Sequence, residues 1–176
     1  MDKEMVSGDL ALENVLIMAE RIAFLHYSFV KTLEDEFSEE EAKRLTLKAI
    51  DEYGRLTANS ATEKIEAQGL DLTLANYRYG KDLPSVGWKA VPIEMPEDKP
   101  DGKISKIVSC PLAVAWQKLG EDGRRIGRLY CWIDQMKYKA YGKGYRCFHD
   151  KNVLDGDDCC IVRVEQGVAE DRDKVR

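Results

Sequence analysis

The sequence predicts an α+β fold: two long N-terminal helices packed on an antiparallel sheet, with two further short helices. Three observations carry that expectation. Up to Gly69, apolar residues recur at intervals of three and four, the signature of helices with one buried face. Beyond residue 85 the pattern changes to short runs rich in Val and Ile. Between the first two of those runs lies a Pro- and Gly-containing stretch, 94–102, of the kind that closes a hairpin.

Taken in order, the first helix is expected over 10–33, with Leu12, Val15, Ala19, Ile22, Phe29 and Leu33 on its buried face. Ser38 starts the second, and Glu41 three residues later completes a capping box. Its stripe runs through Ala42, Leu45, Ala49, Tyr53 and Leu56, and Gly69 is a natural stop. Gly54 sits inside this helix at a cost of about 1 kcal/mol relative to Ala, which implies close packing there. Strands are expected over 86–93 and 103–109, then a helix from Cys110 and another over 129–141. Two closing strands, 145–149 and 159–165, flank a turn at Asp155-Gly156. Helices followed by strands that pair through hairpins make an α+β domain, spanning 1–168, with a charged tail over 169–176.

Composition narrows the function classes. A net charge of −5 argues against a nucleic-acid surface, which needs a basic patch. No run approaches a membrane span, and the charged start Met1-Asp2-Lys3-Glu4 lacks a signal peptide's apolar stretch. Five cysteines without an export signal read as reduced thiols in a cytoplasmic protein. The expected partner is a small molecule; the oligomeric state and any cofactor are left open by the residues.

All five cysteines, Cys110, Cys131, Cys147, Cys159 and Cys160, fall in the last seventy residues. Cys110 precedes Pro111, and Pro favours the first helical position, so Cys110 is expected at an N-cap. Free N–H groups and the helix dipole there favour a thiolate, so its thiol is expected to titrate below the free value of about 8.5. Cys131 and Asp134 are three apart and share a helical face. In the last strand Cys160 shares the core side with Val162 and Val164, while Cys159 points with Arg163. Asp155, Asp157 and Asp158 lack the spacing of a calcium loop and read as turn and strand-end caps.

Read together, Glu52-Tyr53-Gly54-Arg55, Cys110-Pro111, Tyr130-Cys131-x-x-Asp134 and Gly156-Asp157-Asp158-x-Cys160 resemble the L-2-amino-thiazoline-4-carboxylic acid hydrolase family. The resemblance covers most of the chain; Cys159 beside Cys160 is a departure from it. It implies a hydrolase that opens a cyclic thiazoline with water to give S-carbamoyl-cysteine. Such chemistry calls for a nucleophile or activated water, a proton shuttle, and a cation for the substrate carboxylate. Cys110 is the expected nucleophile; alternatively Cys110, Cys131 and Cys160 hold a metal that activates water. Asp134 is the expected acid–base group. Tyr53 and Arg55 or Arg128, with Arg163 as a further candidate, are expected at the substrate. Convergence of Cys110, Cys131 and Cys160 on one pocket is part of this reading. Neither His26 nor His149 lies in the stretches that carry the resemblance, so no Cys–His pair is expected. The competing reading is a non-catalytic module that binds a small ligand or metal, or senses redox state, through the same thiols.

Overall fold

The computed structural model describes residues 7–95, 102–142 and 144–166. Two long helices come first, α1 (Gly8–Glu36) and α2 (Glu39–Glu66). Ser7 caps α1 by accepting from the Leu10 N–H, and Ser38 caps α2 by accepting from the Glu41 N–H. A 3₁₀ turn (Leu74–Gly80) leads to the strands β1 (Lys89–Ile93) and β2 (Lys103–Ser109). Three short helices follow: α3 (Pro111–Lys118), α4 (Gly120–Tyr130) and α5 (Ile133–Ala140). Strands β3 (Tyr145–Lys151) and β4 (Cys160–Gln166) close the sheet, whose order is β1-β2-β4-β3 and wholly antiparallel. Among the described residues no helix is long and apolar enough to cross a membrane. The tip of the expected hairpin loop, 96–101, and the expected tail, 169–176, lie outside the described residues.

The expected architecture holds, with local corrections. Residues 120–128 are helical, and the chain breaks at Cys131-Trp132, so the run 110–141 makes three helices where two were expected. The first strand starts at Lys89 rather than residue 86. The larger correction concerns the faces of the long helices. On α2 the buried stripe is Ala42, Thr46, Ile50, Gly54, Ala58, Ala61 and Ile65, while Ala49, Tyr53 and Leu56 face outward. On α1 the buried residues are Ala19, Ala23 and Val30, and Leu12, Ile22 and Phe29 are exposed. The reason is steric. Helix α5 approaches α2 so closely that a Cβ on Gly54 would stand 2.6 Å from Cβ of Met136. Small residues line that contact because larger ones do not fit.

Two apolar clusters result. One joins α1, α3 and α4 around Trp116, Ile126 and Tyr130. The other joins α2, the 3₁₀ turn and α5 to the sheet around Ile65, Tyr77, Tyr141 and Val164. The start of α3, the α4–α5 break, the end of β3 and the start of β4 all carry the residues described next.

Candidate active site

Cys110 has extended backbone, caps α3, and accepts from the Ala113 N–H at 3.4 Å through Sγ, with Pro111 at the first helical position. The expected cap geometry is present; the expected acidity is not. Burial pushes the Cys110 thiol up, and the helix-start N–H groups only partly offset that. Cys131 lies at the α4–α5 break, and burial followed by the nearby Asp134 charge pushes its thiol to about 12. Cys160 opens β4 and accepts from the Val153 N–H at 3.4 Å; burial raises its thiol as well. The charge of Asp134 bears on all three thiols, that of Cys160 on Cys110, and that of Cys110 on Cys131. The three thiols therefore lie within electrostatic reach of one carboxylate. Among the described residues no group of three or more His, Cys, Asp or Glu side chains is placed to hold a metal ion, so the three-thiolate metal site has no ligand set here.

Asp134 is the electrostatic centre. Burial alone would raise its carboxyl, but the Lys137 ammonium and a hydrogen bond from His149 outweigh it and hold the group well below the usual carboxylate range. Asp134 Oδ1 lies 2.9 Å from Lys137 Nζ, and its Oδ2 lies 3.0 Å from His149 Nε2. Lys137 is itself buried and also reaches Asp82 at 2.8 Å, where the Tyr77 hydroxyl donates at 3.0 Å.

His149, which lies outside the stretches that carry the family resemblance, completes the cluster. Its Nδ1 faces Asn152 Nδ2 at 3.2 Å and Arg128 Nη1 at 3.4 Å. Asn152 Oδ1 accepts from the Leu154 N–H, so the amide orientation is fixed and Nδ2 is the atom presented to the ring. Both neighbours of Nδ1 are donors, so Nδ1 accepts and the ring proton is on Nε2, donated to Asp134. Asn152 also hydrogen-bonds the Cys131 side chain, and thus joins the imidazole to a thiol. The signal available in sequence was phase: His149 shares its strand face with Cys147, and Cys147 is buried.

Of the other expected site residues, Arg128 is in the cluster, held by Asp155 at 2.7 Å. Tyr53 accepts from the Tyr130 hydroxyl at 3.2 Å, one residue removed from Cys131. Arg55 is not in the cluster: it is exposed on α2 and paired with Glu52. Arg163 lies over the Phe148 ring at 4.4 Å and pairs with Asp150 and Glu165, also away from the cluster. Cys147 packs in the second apolar cluster. Cys159 precedes β4 and is buried, donating weakly to Asp158. The aspartates of 155–158 act as caps and ion-pair partners, with Asp157 accepting from the Asn152 N–H at 2.7 Å.

The family model for L-2-amino-thiazoline-4-carboxylic acid hydrolase matches residues 17–164, a span that includes every residue of this cluster. The chain belongs to that family. The family is named for a hydrolase. No curated protein matches the chain. A solved structure shares the fold: a trafficking protein particle complex subunit 3 from Naegleria fowleri, crystallised covalently bound to palmitic acid. The match has a TM-score of 0.54 and covers 86% of this chain and 96% of that one, at 16% identity. At that identity it is evidence of fold alone.

Proposed function

We propose that this chain is a small-molecule hydrolase that opens a cyclic amidine, with 2-amino-thiazoline-4-carboxylates as the substrate class. The observation that carries the reading is the placement of one carboxylate, Asp134, and one guanidinium, Arg128, at opposite nitrogens of the His149 ring, beside the thiols of Cys131 and Cys160 whose protonation both charges bear on. A 2-amino-thiazoline-4-carboxylate has a basic amidine at one end of a small ring and a carboxylate at the other. An anion and a cation on either side of one ring match both ends.

In the balanced reaction, one water adds to the ring carbon between sulfur and nitrogen, and the ring C–N bond breaks. The ring nitrogen takes a proton and leaves as a free amine, giving the S-carbamoyl product without loss of ammonia. If Cys110 attacks first, its sulfur bonds that carbon and its proton passes to the ring nitrogen; the C–N bond then breaks as a second proton moves from the exocyclic amino group to the ring nitrogen, which leaves as the amine. Water then adds to the resulting dithiocarbonimidate carbon, which becomes the carbamoyl carbon as Cys110 leaves as a thiol. Because burial keeps Cys110 protonated at rest, the basic amidine of the substrate is the natural acceptor of that proton. Asp134 then orients the amidine and balances its charge, and His149 is held by Asp134 for transfer to and from water. Arg128 holds the carboxylate in place of Arg55.

Incubation with L-2-amino-thiazoline-4-carboxylate, followed by mass spectrometry and proton NMR, tests the proposal. Formation of a species heavier by one water, lost in Cys110→Ser and in Arg128→Gln, supports it. Undiminished turnover in Cys110→Ser removes the cysteine from the reaction and leaves direct attack by water. No turnover, together with saturable binding of the same compound, supports the non-catalytic ligand-binding reading instead.

A further inference from the structure

Helix α1 is 29 residues long, roughly 43 Å, and only a narrow stripe of it is buried. Val15, Ile22 and Phe29 alternate with Ala11, Met18 and Leu25 at intervals of three and four, which is a seven-residue repeat. Ala11 and Val15 are half-buried, Val15 against the chain at Gly87, but Met18, Ile22, Leu25 and Phe29 face outward. Met18 is 54% exposed, Leu25 62% and Phe29 64%. His26 of α1 and Tyr53 of α2 both contact the Tyr130 ring, at 5.4 and 5.8 Å, and Tyr53 and Leu56 of α2 are exposed as well. Together the exposed side chains of the two helices offer on the order of 600 Å² of largely apolar surface, the upper end of what a monomer's largest patch shows and the lower end of what one partner gives a stable interface.

We propose that this α1–α2 face is a homodimer interface, in which two copies pair their helical hairpins into a four-helix layer. Two features select a second copy over other occupants. A 3-4 repeat reads the same in either direction along the helix, so the stripe is its own complement under a two-fold axis. The closed pair buries both stripes and leaves none to propagate. A lipid surface fits poorly. Within α1 the charged residues are Asp9, Glu13, Glu20, Glu34, Asp35 and Glu36 against Arg21 and Lys31, while helices that lie on membranes carry a basic polar face. The proposal does not depend on the hydrolase reading, because its test substitutes Leu25 and Phe29, neither of which belongs to the cluster of Cys110 and Asp134.

Sedimentation equilibrium of the full chain over a concentration series tests it. The expected mass is twice the 20.0 kDa of one chain. Leu25→Glu and Phe29→Glu should each weaken association at least ~30-fold, the scale of a central contact. Ile93→Glu, at the exposed sheet edge, should change nothing. Wild-type protein that stays monomeric throughout overturns the proposal, as does a dimer indifferent to both α1 substitutions. A monomer that floats with anionic vesicles, and loses this in Leu25→Glu, assigns the face to lipid and overturns it equally. If the glutamate variants do not fold, hydrogen exchange on wild-type protein decides. Protection of 18–29 that rises with concentration supports the dimer, and protection independent of concentration opposes it.

Discussion

His149 Nε2 stands 3.0 Å from Asp134 Oδ2, and the two donors at the opposite ring nitrogen leave that contact as the only place for the imidazole proton. The pair links two elements that the chain builds separately, the start of α5 and the end of β3. Lys137, one helical turn beyond Asp134, supplies the positive charge that lets a carboxylate remain ionised against the second apolar cluster. The same carboxylate raises the three thiols around it. Burial does most of that raising, and this one charge adds to it at every thiol.

Replacing that charge should have two readable effects. Asp134→Asn keeps the shape but leaves Lys137 with Asp82 alone, and is expected to cost about 2 kcal/mol of stability, within the range for a partly satisfied buried charge. Urea unfolding at pH 7 measures it. A loss below about 0.5 kcal/mol would mean that Asp82 suffices and that Asp134 is retained for something other than folding.

The fold was readable because it rests on local signals. Ser38, Pro111, and the Val/Ile runs of β2 and β4 each specify their own element, and the structure uses them as expected; of the capping box only the Ser38 half is made, because the Glu41 carboxylate pairs with Arg44. The faces of α1 and α2 were not readable, because periodicity finds the most apolar stripe and assigns it to the core. Here the core contact is made by Gly54, Ala58 and Ala61, which close approach of α5 and the 3₁₀ turn requires, and the large apolar side chains are left outside. The site was half legible. Cys110, Cys131, Cys160, Asp134 and Arg128 meet, but His149 was set aside because it lies outside the quoted motifs, and Arg55 was included because it lies inside one. Sequence proximity to a motif says nothing about which face of a helix a side chain takes; Arg55 is one residue past Gly54, and so points away from α5.

Gly54 gives a direct test of that packing. Elsewhere in a helix, Gly→Ala gains up to about 1 kcal/mol. At Gly54 the new Cβ would meet Met136 Cβ at 2.6 Å and the Lys137 backbone nitrogen at 3.0 Å, and backbone cannot turn aside. Overpacking of this kind costs typically 1–3 kcal/mol, so Gly54→Ala is expected to destabilise by about 1–2 kcal/mol net. Gly8→Ala, with nothing within 4 Å, should be neutral or slightly stabilising. Thermal melts of the two variants should therefore move in different directions.

The thiol of Cys110 is expected to be slow. Burial raises it, so alkylation by iodoacetamide at pH 7 should be slower than for a free cysteine, and should increase about tenfold per pH unit until pH exceeds about 9. In Asp134→Asn, loss of the nearby anion should lower that midpoint and speed the reaction at a given pH. A midpoint below 8 in the wild type would restore the helix-start argument over burial. Cys110→Ser keeps an acceptor for the Ala113 N–H and should fold nearly as well as wild type, whereas Cys110→Ala should lose roughly 1 kcal/mol with the cap.

His26 should make stability depend on pH. The ring stands edge-on to Trp116 at 5.6 Å and to Tyr130 at 5.4 Å, and its buried Nε2 has no hydrogen-bond partner. Burial lowers its pKa from 6.5 to about 4, against a smaller opposing hydrogen bond with the Ile126 backbone. The unfolded chain therefore binds a proton between pH 6.5 and 4 that the folded chain does not. Folding stability is complete above about pH 6.5 and declines as pH falls toward 4, by roughly 3 kcal/mol for a shift of this size. Asp134 acts in a lower window: its folded pKa is depressed, so its contribution fades only as pH falls below the unfolded value of about 3.9. The two are separable with His26→Phe, which keeps the ring-edge packing and cannot be protonated. Urea midpoints at pH 7.5, 5.5 and 4.5 should fall steeply for wild type and much less for the variant. Parallel declines would assign the acid sensitivity to other groups and leave His26 as packing alone.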